Sequence, residues 1–185
     1  MVDGLRQVTH NPPSSRNPFR RMSTPALAFD STTFRRTLGM FATGITVITA
    51  RASDGSLIGL TVNSFNSVSL DPPLIVWSLG NSSGARAALE QCEYYAVNVL
   101  AVDQQALSNL FASKVADRFA DVLWEPGLGG APLLAGCCAV FEVRNRQRIA
   151  GGDHQIFIGE VERCERSERE PLLYFNGAYR TLAGG

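Results

Sequence analysis

The chain has 185 residues, of which 45% are hydrophobic and 18% charged, and its formal net charge is zero. That balance describes one folded domain and excludes a disordered chain. A neutral surface is the wrong electrostatic footprint for a protein built to hold nucleic acid, and no apolar run reaches the ~18 residues of a membrane-spanning helix.

Residues 1–28 carry Asn11-Pro12-Pro13-Ser14-Ser15, Pro18 and Pro25 among few apolar residues, which predicts a flexible arm ahead of a single domain over 29–185. The arm has arginines and few acids but lacks the apolar core of a secretory signal, and "MSTPALAFD" from Met22 reads as an alternative start. Asp30 or Ser31 can cap a short helix through Phe34, Leu38 and Phe41. "GITVITA" (44–50) is β-branched and reads as a strand, and Asp54-Gly55 is a hairpin signal. "LIGLTVNSFNSVSL" (57–70) is extended, "DPP" (71–73) breaks it, and "LIVWSL" (74–79) is a buried strand. A capped helix over 81–91, a strand over 94–101 and a helix over 102–114 capped at Asp103 follow. "LWEPGLGGAPLL" (123–134) reads as a loop. "CAVFEVRNRQRIA" and "HQIFIGEVERCER" read as two long strands joined at Gly151-Gly152, with a last short strand within 172–182. Tight turns between most strands favour antiparallel pairing. The expected class is mainly β with helices, a small antiparallel barrel with helical additions.

Cys92, Cys137, Cys138 and Cys164 show no C-x-x-C spacing, and one of the two histidines, His10, lies in the arm, so no metal site is expected. Unpaired thiols of this kind suit a reducing cytoplasm.

Four segments could carry chemistry. If "LTVNSFNSVS" is one regular strand, Thr61, Asn63, Phe65, Ser67 and Ser69 share a face. Hydroxyls and an amide around one ring can bond the polar edge of a flat heteroaromatic ligand, although a wetted strand face has the same composition. Asn81, Ser82 or Ser83 begins a predicted helix, where free N–H groups and the dipole favour an anion, and Arg86 one turn in would suit a phosphate. A plain cap explains the same residues. Ser113, Lys114 and Arg118 lie just past a second helix, either as a solvated end or as extra positive charge. The fourth segment is "AGGDHQIFIGEV". Its glycines allow a sharp bend or a close approach to a ligand, and His154 then shares a strand face with Ile156 and Ile158. No Walker loop, Rossmann fingerprint or nucleophile–histidine–acid set is present.

"FRRTLGMFATGITVIT", "GLTVNSFNSVSLDPPL", "YYAVNVLA", "AGGDHQIFIGEV" and "PLLYFNGAYRTL" occur in this order. Together they resemble the short-chain flavin reductases of two-component flavin-dependent monooxygenases, nearest the phenol-hydroxylase and 4-hydroxyphenylacetate-hydroxylase reductase type, over about residues 30–182. The resemblance implies an FMN-binding split β-barrel, usually a homodimer with flavin near the subunit interface. It also implies hydride transfer from NAD(P)H, usually NADH, to FMN or FAD, which then leaves for a partner monooxygenase. Carried onto this chain, it places Thr46, Thr61, Val62, Asn63, Ser64 and Ser67 around the flavin and Ser82 and Ser83 at its phosphate, with Ala112, Ser113 and Lys114 nearby. Gly152, Asp153 and His154 would place the nicotinamide, His154 being the residue that acts on it, and Tyr179 would close one side. A split-barrel protein that retains its flavin to reduce another substrate, and a non-catalytic flavin-binding protein, are the competing readings.

Overall fold

A computed structural model describes residues 28–182. The expected arm therefore lies, apart from its last residue, outside the described residues, as do the alternative start and His10.

In chain order the elements are α1 (Ser31–Leu38), β1 (Thr43–Gly44), β2 (Thr46–Arg51), β3 (Leu57–Val62), β4 (Asn66–Leu70), β5 (Pro73–Gly80), α2 (Arg86–Gln91), β6 (Tyr94–Val99), α3 (Gln105–Ala112), β7 (Trp124–Pro126), β8 (Pro132–Leu134), β9 (Ala139–Gly151), β10 (His154–Arg166), β11 (Leu173–Phe175) and β12 (Ala178–Arg180). Asp30 caps α1 by accepting the Thr33 N–H. The other two expected caps are not formed. Asp103 instead pairs with Arg169, which holds its carboxyl below the usual range, and α3 starts at Gln105 without a side-chain cap. The expected loop over 123–134 is a small hairpin, β7 on β8, and the expected last strand is a second one, β11 on β12.

Seven strands form one antiparallel sheet in the order β3-β2-β6-β9-β10-β5-β4. β3 and β4 are consecutive in the chain yet sit at opposite edges. Residues 63–65 carry the chain between those edges, so the sheet must curl until they approach. Ser64 closes the seam: its hydroxyl donates to the Ser78 carbonyl (3.1 Å) and accepts the Ser78 N–H (3.0 Å). The expected single strand over 57–70 is thus two strands with a break at the barrel seam. Its assumed shared face does not exist.

β2 is buried from Thr46 to Ala50 because both of its faces are covered. Ile48 and Ala50 join the core that includes Trp77, Tyr95 and Phe157, while Val47 joins a second cluster with Leu100, Phe111 and Leu172. β5 alternates instead, burying Ile75, Trp77 and Leu79. Trp77 stacks on Phe157 (4.4 Å, 7°) and meets Tyr95 edge-on (5.7 Å, 71°). The buried Asn98 pins the β7–β8 hairpin to the barrel. Its amide donates to the Val47 carbonyl (3.1 Å) and Thr49 Oγ1 (3.0 Å), and its oxygen accepts the Leu134 N–H (2.8 Å).

All four cysteines are free, and only Cys164 is exposed. Burial raises the thiols of Cys92 and Cys138 above the usual range and pushes that of Cys137 up to about 12. Native protein at pH 8 is expected to release one equivalent of chromophore from a thiol-specific disulfide reagent, and four once denatured. More than one fast-reacting thiol in the native protein would contradict the burial described.

Candidate active site

Several of the predicted residues fall into two hydrogen-bonded neighbourhoods. The first is built on α3 and the end of β3. Gly59 lets them approach: a Cβ there would collide with the Phe111 ring. The Thr61 hydroxyl donates to the Ser108 carbonyl (2.7 Å), Ser108 Oγ bonds the Tyr179 hydroxyl (2.9 Å), and Tyr179 donates to Asn109 Oδ1 (2.9 Å). Thr61 therefore keeps only acceptor capacity for a ligand. Ser108 and Asn109 were not among the sequence candidates. The available signal was helical spacing, since Ser108, Phe111 and Ala112 share a face at i, i+3 and i+4.

Ala112, Ser113 and Lys114 follow at the end of α3. Ser113 donates to the Leu110 carbonyl (2.7 Å) and so closes the helix rather than reaching outward. Lys114 is exposed and makes no ion pair among the described residues. Arg118 donates through Nη1 to the Gly59 carbonyl (2.9 Å), while its buried Nε has no partner among them.

The second neighbourhood surrounds the β9–β10 turn. Gly152 has φ +74°, a left-handed conformation that glycine adopts without strain. β10 pairs with β5 so that His154 faces Gly80, and the imidazole Nε2 lies 3.9 Å from where a Cβ at residue 80 would stand. Asp153 Oδ1 bonds His154 Nδ1 (2.7 Å), which keeps the Asp153 carboxyl below its usual range. The Asp153 carboxylate accepts from Nδ1, which leaves Nε2 aimed away from the carboxylate. His154 is half-exposed, its side chain 46% accessible, and Nε2 has no hydrogen-bond partner among the described residues.

Thr46, Ser82, Ser83 and Arg86 are placed differently from the expectation. Thr46 is buried at 3% exposure, and its hydroxyl donates to the Val62 carbonyl (3.1 Å), so it ties β2 to β3. α2 begins only at Arg86 and spans six residues, which leaves Ser82 and Ser83 in the turn before it, without a helix dipole behind them. Ser83 Oγ accepts the Ala85 N–H at 3.4 Å. Arg86 is not free for a phosphate: its Nε pairs with Glu90 (2.7 Å) and its Nη1 donates to Asn81 Oδ1 (3.2 Å). Val62 packs against the barrel core, whereas Asn63, Ser67 and Ser82 are exposed.

Thr61, Ser64 and Tyr179 spend their hydroxyl protons inside the protein and keep acceptor capacity, while Asn63, Ser67 and Lys114 are exposed and their side chains make no hydrogen bond among the described residues. That set of groups fits a flavin: amides and hydroxyls for the polar ring edge, serines and a lysine for a phosphate. An open cleft of about 980 Å³ lined by Trp124, Cys137, Glu142, Arg163 and Cys164 shares none of these residues. Its buried carboxylate, Glu142, is already bonded to the Leu128 N–H.

Residues 38–183 match the model of the flavin reductase like domain. The chain belongs to the flavin reductase-like family. Among relatives, the FMN reductase (NADH) SmoA of Agrobacterium fabrum is 43% identical over 150 residues, 81% of this chain and 85% of that one. The reductase component of a flavin-dependent trigonelline monooxygenase from Acinetobacter baylyi is 40% identical over 149 residues, 80% of this chain, which spans 48% of that protein's length. The solved structure of the Streptomyces globisporus NADH:FAD oxidoreductase SgcE6, in complex with NAD and FAD fragments, superposes with TM-score 0.80 at 39% identity, covering 83% of this chain and 93% of that one. The barrel described above is therefore the flavin reductase barrel, as expected from the sequence.

Proposed function

We propose that this flavin reductase-like chain moves a hydride from NADH to FMN or FAD and supplies the reduced flavin to a flavin-dependent monooxygenase. The observation that carries the reading is the Asp153–His154 pair, held on a left-handed Gly152 turn. When both are bound, nicotinamide C4 gives a hydride to flavin N5, and this needs ring stacking more than a protein nucleophile. The chain's own work is to position. Tyr179, Ser108 and Thr61 form a rigid wall for the flavin ring, with Asn63, Ser64 and Ser67 along its polar edge. Ser82, Ser83 and Lys114 receive the phosphate. Asp153 sets the His154 tautomer, so that Nε2 accepts an N–H from the nicotinamide carboxamide.

The active form is a homodimer, supported by large apolar side chains left exposed on and after α1: Phe34, Leu38, Met40 and Phe41. Light scattering should return twice the 20.0 kDa of one chain. A cytoplasmic location is supported by four free thiols and by dependence on a nicotinamide nucleotide.

Purified protein given NADH and FMN or FAD is expected to oxidise NADH in proportion to added flavin, with NADPH slower. Absence of flavin-dependent turnover with either nucleotide overturns the reading. Turnover that persists without added flavin after desalting would instead favour a retained cofactor. Ser83→Ala is expected to raise KM for FMN about fivefold and to leave riboflavin within twofold, the size of one lost hydrogen bond. Equal effects on both flavins would remove Ser83 from the phosphate.

A further inference from the structure

We infer that Asn81 is a positioning residue that holds the Gly152-Asp153 turn, and through it His154, in the orientation that meets the nicotinamide. This rests on the reading of His154 given above.

The β5–β10 ladder ends where Gly80 faces His154. Asn81 extends it by one residue and grips both turn carbonyls. Its backbone N–H donates to the Asp153 carbonyl (2.9 Å), and its side-chain Nδ2 donates to the Gly152 carbonyl (3.1 Å). Its remaining polar atom, Oδ1, accepts from Arg86 Nη1 (3.2 Å), and Arg86 is itself held by Glu90 one helical turn on (2.7 Å). The amide is thus oriented: Arg86 identifies the oxygen, which leaves the nitrogen facing Gly152. Glu90, Arg86 and Asn81 form a brace from α2 to the tip of the β9–β10 hairpin. Among the described residues, no other side chain bonds the Gly152 or Asp153 carbonyl.

The consequence is mechanical. Asp153 and His154 bond each other but are both exposed, so neither is fixed by packing. A two-residue turn that rocks carries the imidazole with it, and a small misplacement of a positioning group costs rate at the ligand it meets. Arg86, offered to a phosphate on sequence grounds, works instead with Glu90 as the far end of this brace.

The test compares Asn81→Ala, Asn81→Asp, His154→Ala and the Asn81→Ala/His154→Ala pair in the full-length protein. Asn81→Ala is expected to raise KM for NADH about fivefold and leave KM for FMN within twofold. It is also expected to speed amide exchange of residues 151–154 about tenfold, with exchange across β2 and β6 unchanged. Asn81→Asp keeps the acceptor for Arg86 but sets a carboxylate against the Gly152 carbonyl, so it should match or exceed Asn81→Ala. The double variant should be no worse than His154→Ala alone, since both act through one ring. Unchanged exchange at 151–154, full activity of Asn81→Asp, or additive losses in the double variant overturns the inference and leaves the role of His154 standing. A His154→Ala variant with unchanged KM for NADH overturns the nicotinamide reading and this inference with it. That case is recognised by faster exchange in Asn81→Ala without any kinetic counterpart.

Discussion

Gly159→Ala is expected to lower the thermal midpoint by roughly 6–12 °C, from a destabilisation of about 3 kcal/mol. Gly159 lies on β10 in the barrel interior, where a Cβ would fall on Tyr95 Oη and Val143 Cγ1, closer than real Cβ atoms approach. Neither neighbour can yield cheaply. Tyr95 is 1% exposed and edge-on to Trp77, and Val143 is fully buried on the adjacent strand β9. Any accommodation must move the strand that begins at His154, so loss of NADH turnover should accompany loss of stability. Gly84→Ala is the matched control, because nothing lies within 4 Å of a Cβ there. Circular-dichroism melts of the two variants decide the matter: equal midpoints would mean that the core around Tyr95 is looser than described.

His154→Ala should have the opposite signature. The ring is half-exposed and bonds only Asp153, so the midpoint should stay within about 2 °C of the parent. KM for NADH should rise about tenfold, the size of a lost acceptor and ring contact at the nicotinamide, while KM for FMN stays within twofold. Asp153→Asn keeps a bond to Nδ1 but removes the charge that fixes the tautomer, so a smaller rise of about threefold is expected. Equal losses for nucleotide and flavin, together with a lower midpoint, would make His154 a structural residue. Steady-state kinetics with each substrate varied in turn separate the two outcomes.

The difference between these two glycine- and histidine-centred predictions reflects what each residue's neighbours are. Gly152 was legible from the sequence because its role is local: a two-residue turn between long strands needs a positive φ. The role of Gly159 was not legible, because the residues that exclude a side chain there come from β6 and β9. Thr46 shows the complementary case: the resemblance names it from the chain, and the structure adds that it is buried with its hydroxyl donating to the Val62 carbonyl. Asn81 was visible only as a helix-cap candidate, since its partner Gly152 lies 71 residues away.

By itself the sequence determined most of the strands and turns and the antiparallel class, which rest on short-range physics, namely β-branched alternation and glycine where φ is positive; motif order along the chain carried the family resemblance. Only the tertiary structure decided how the site is assembled. Curling of the sheet split 57–70 into two strands at opposite edges and brought Ser64 onto Ser78. Packing of α3 on Gly59 joined Thr61 to Ser108 and Tyr179. The start of α2 at Arg86 turned an expected phosphate arginine into a brace for the Asp153–His154 turn. These outcomes depend on barrel closure, which no local pattern encodes, because each contact pairs groups whose separation along the chain is set by the fold.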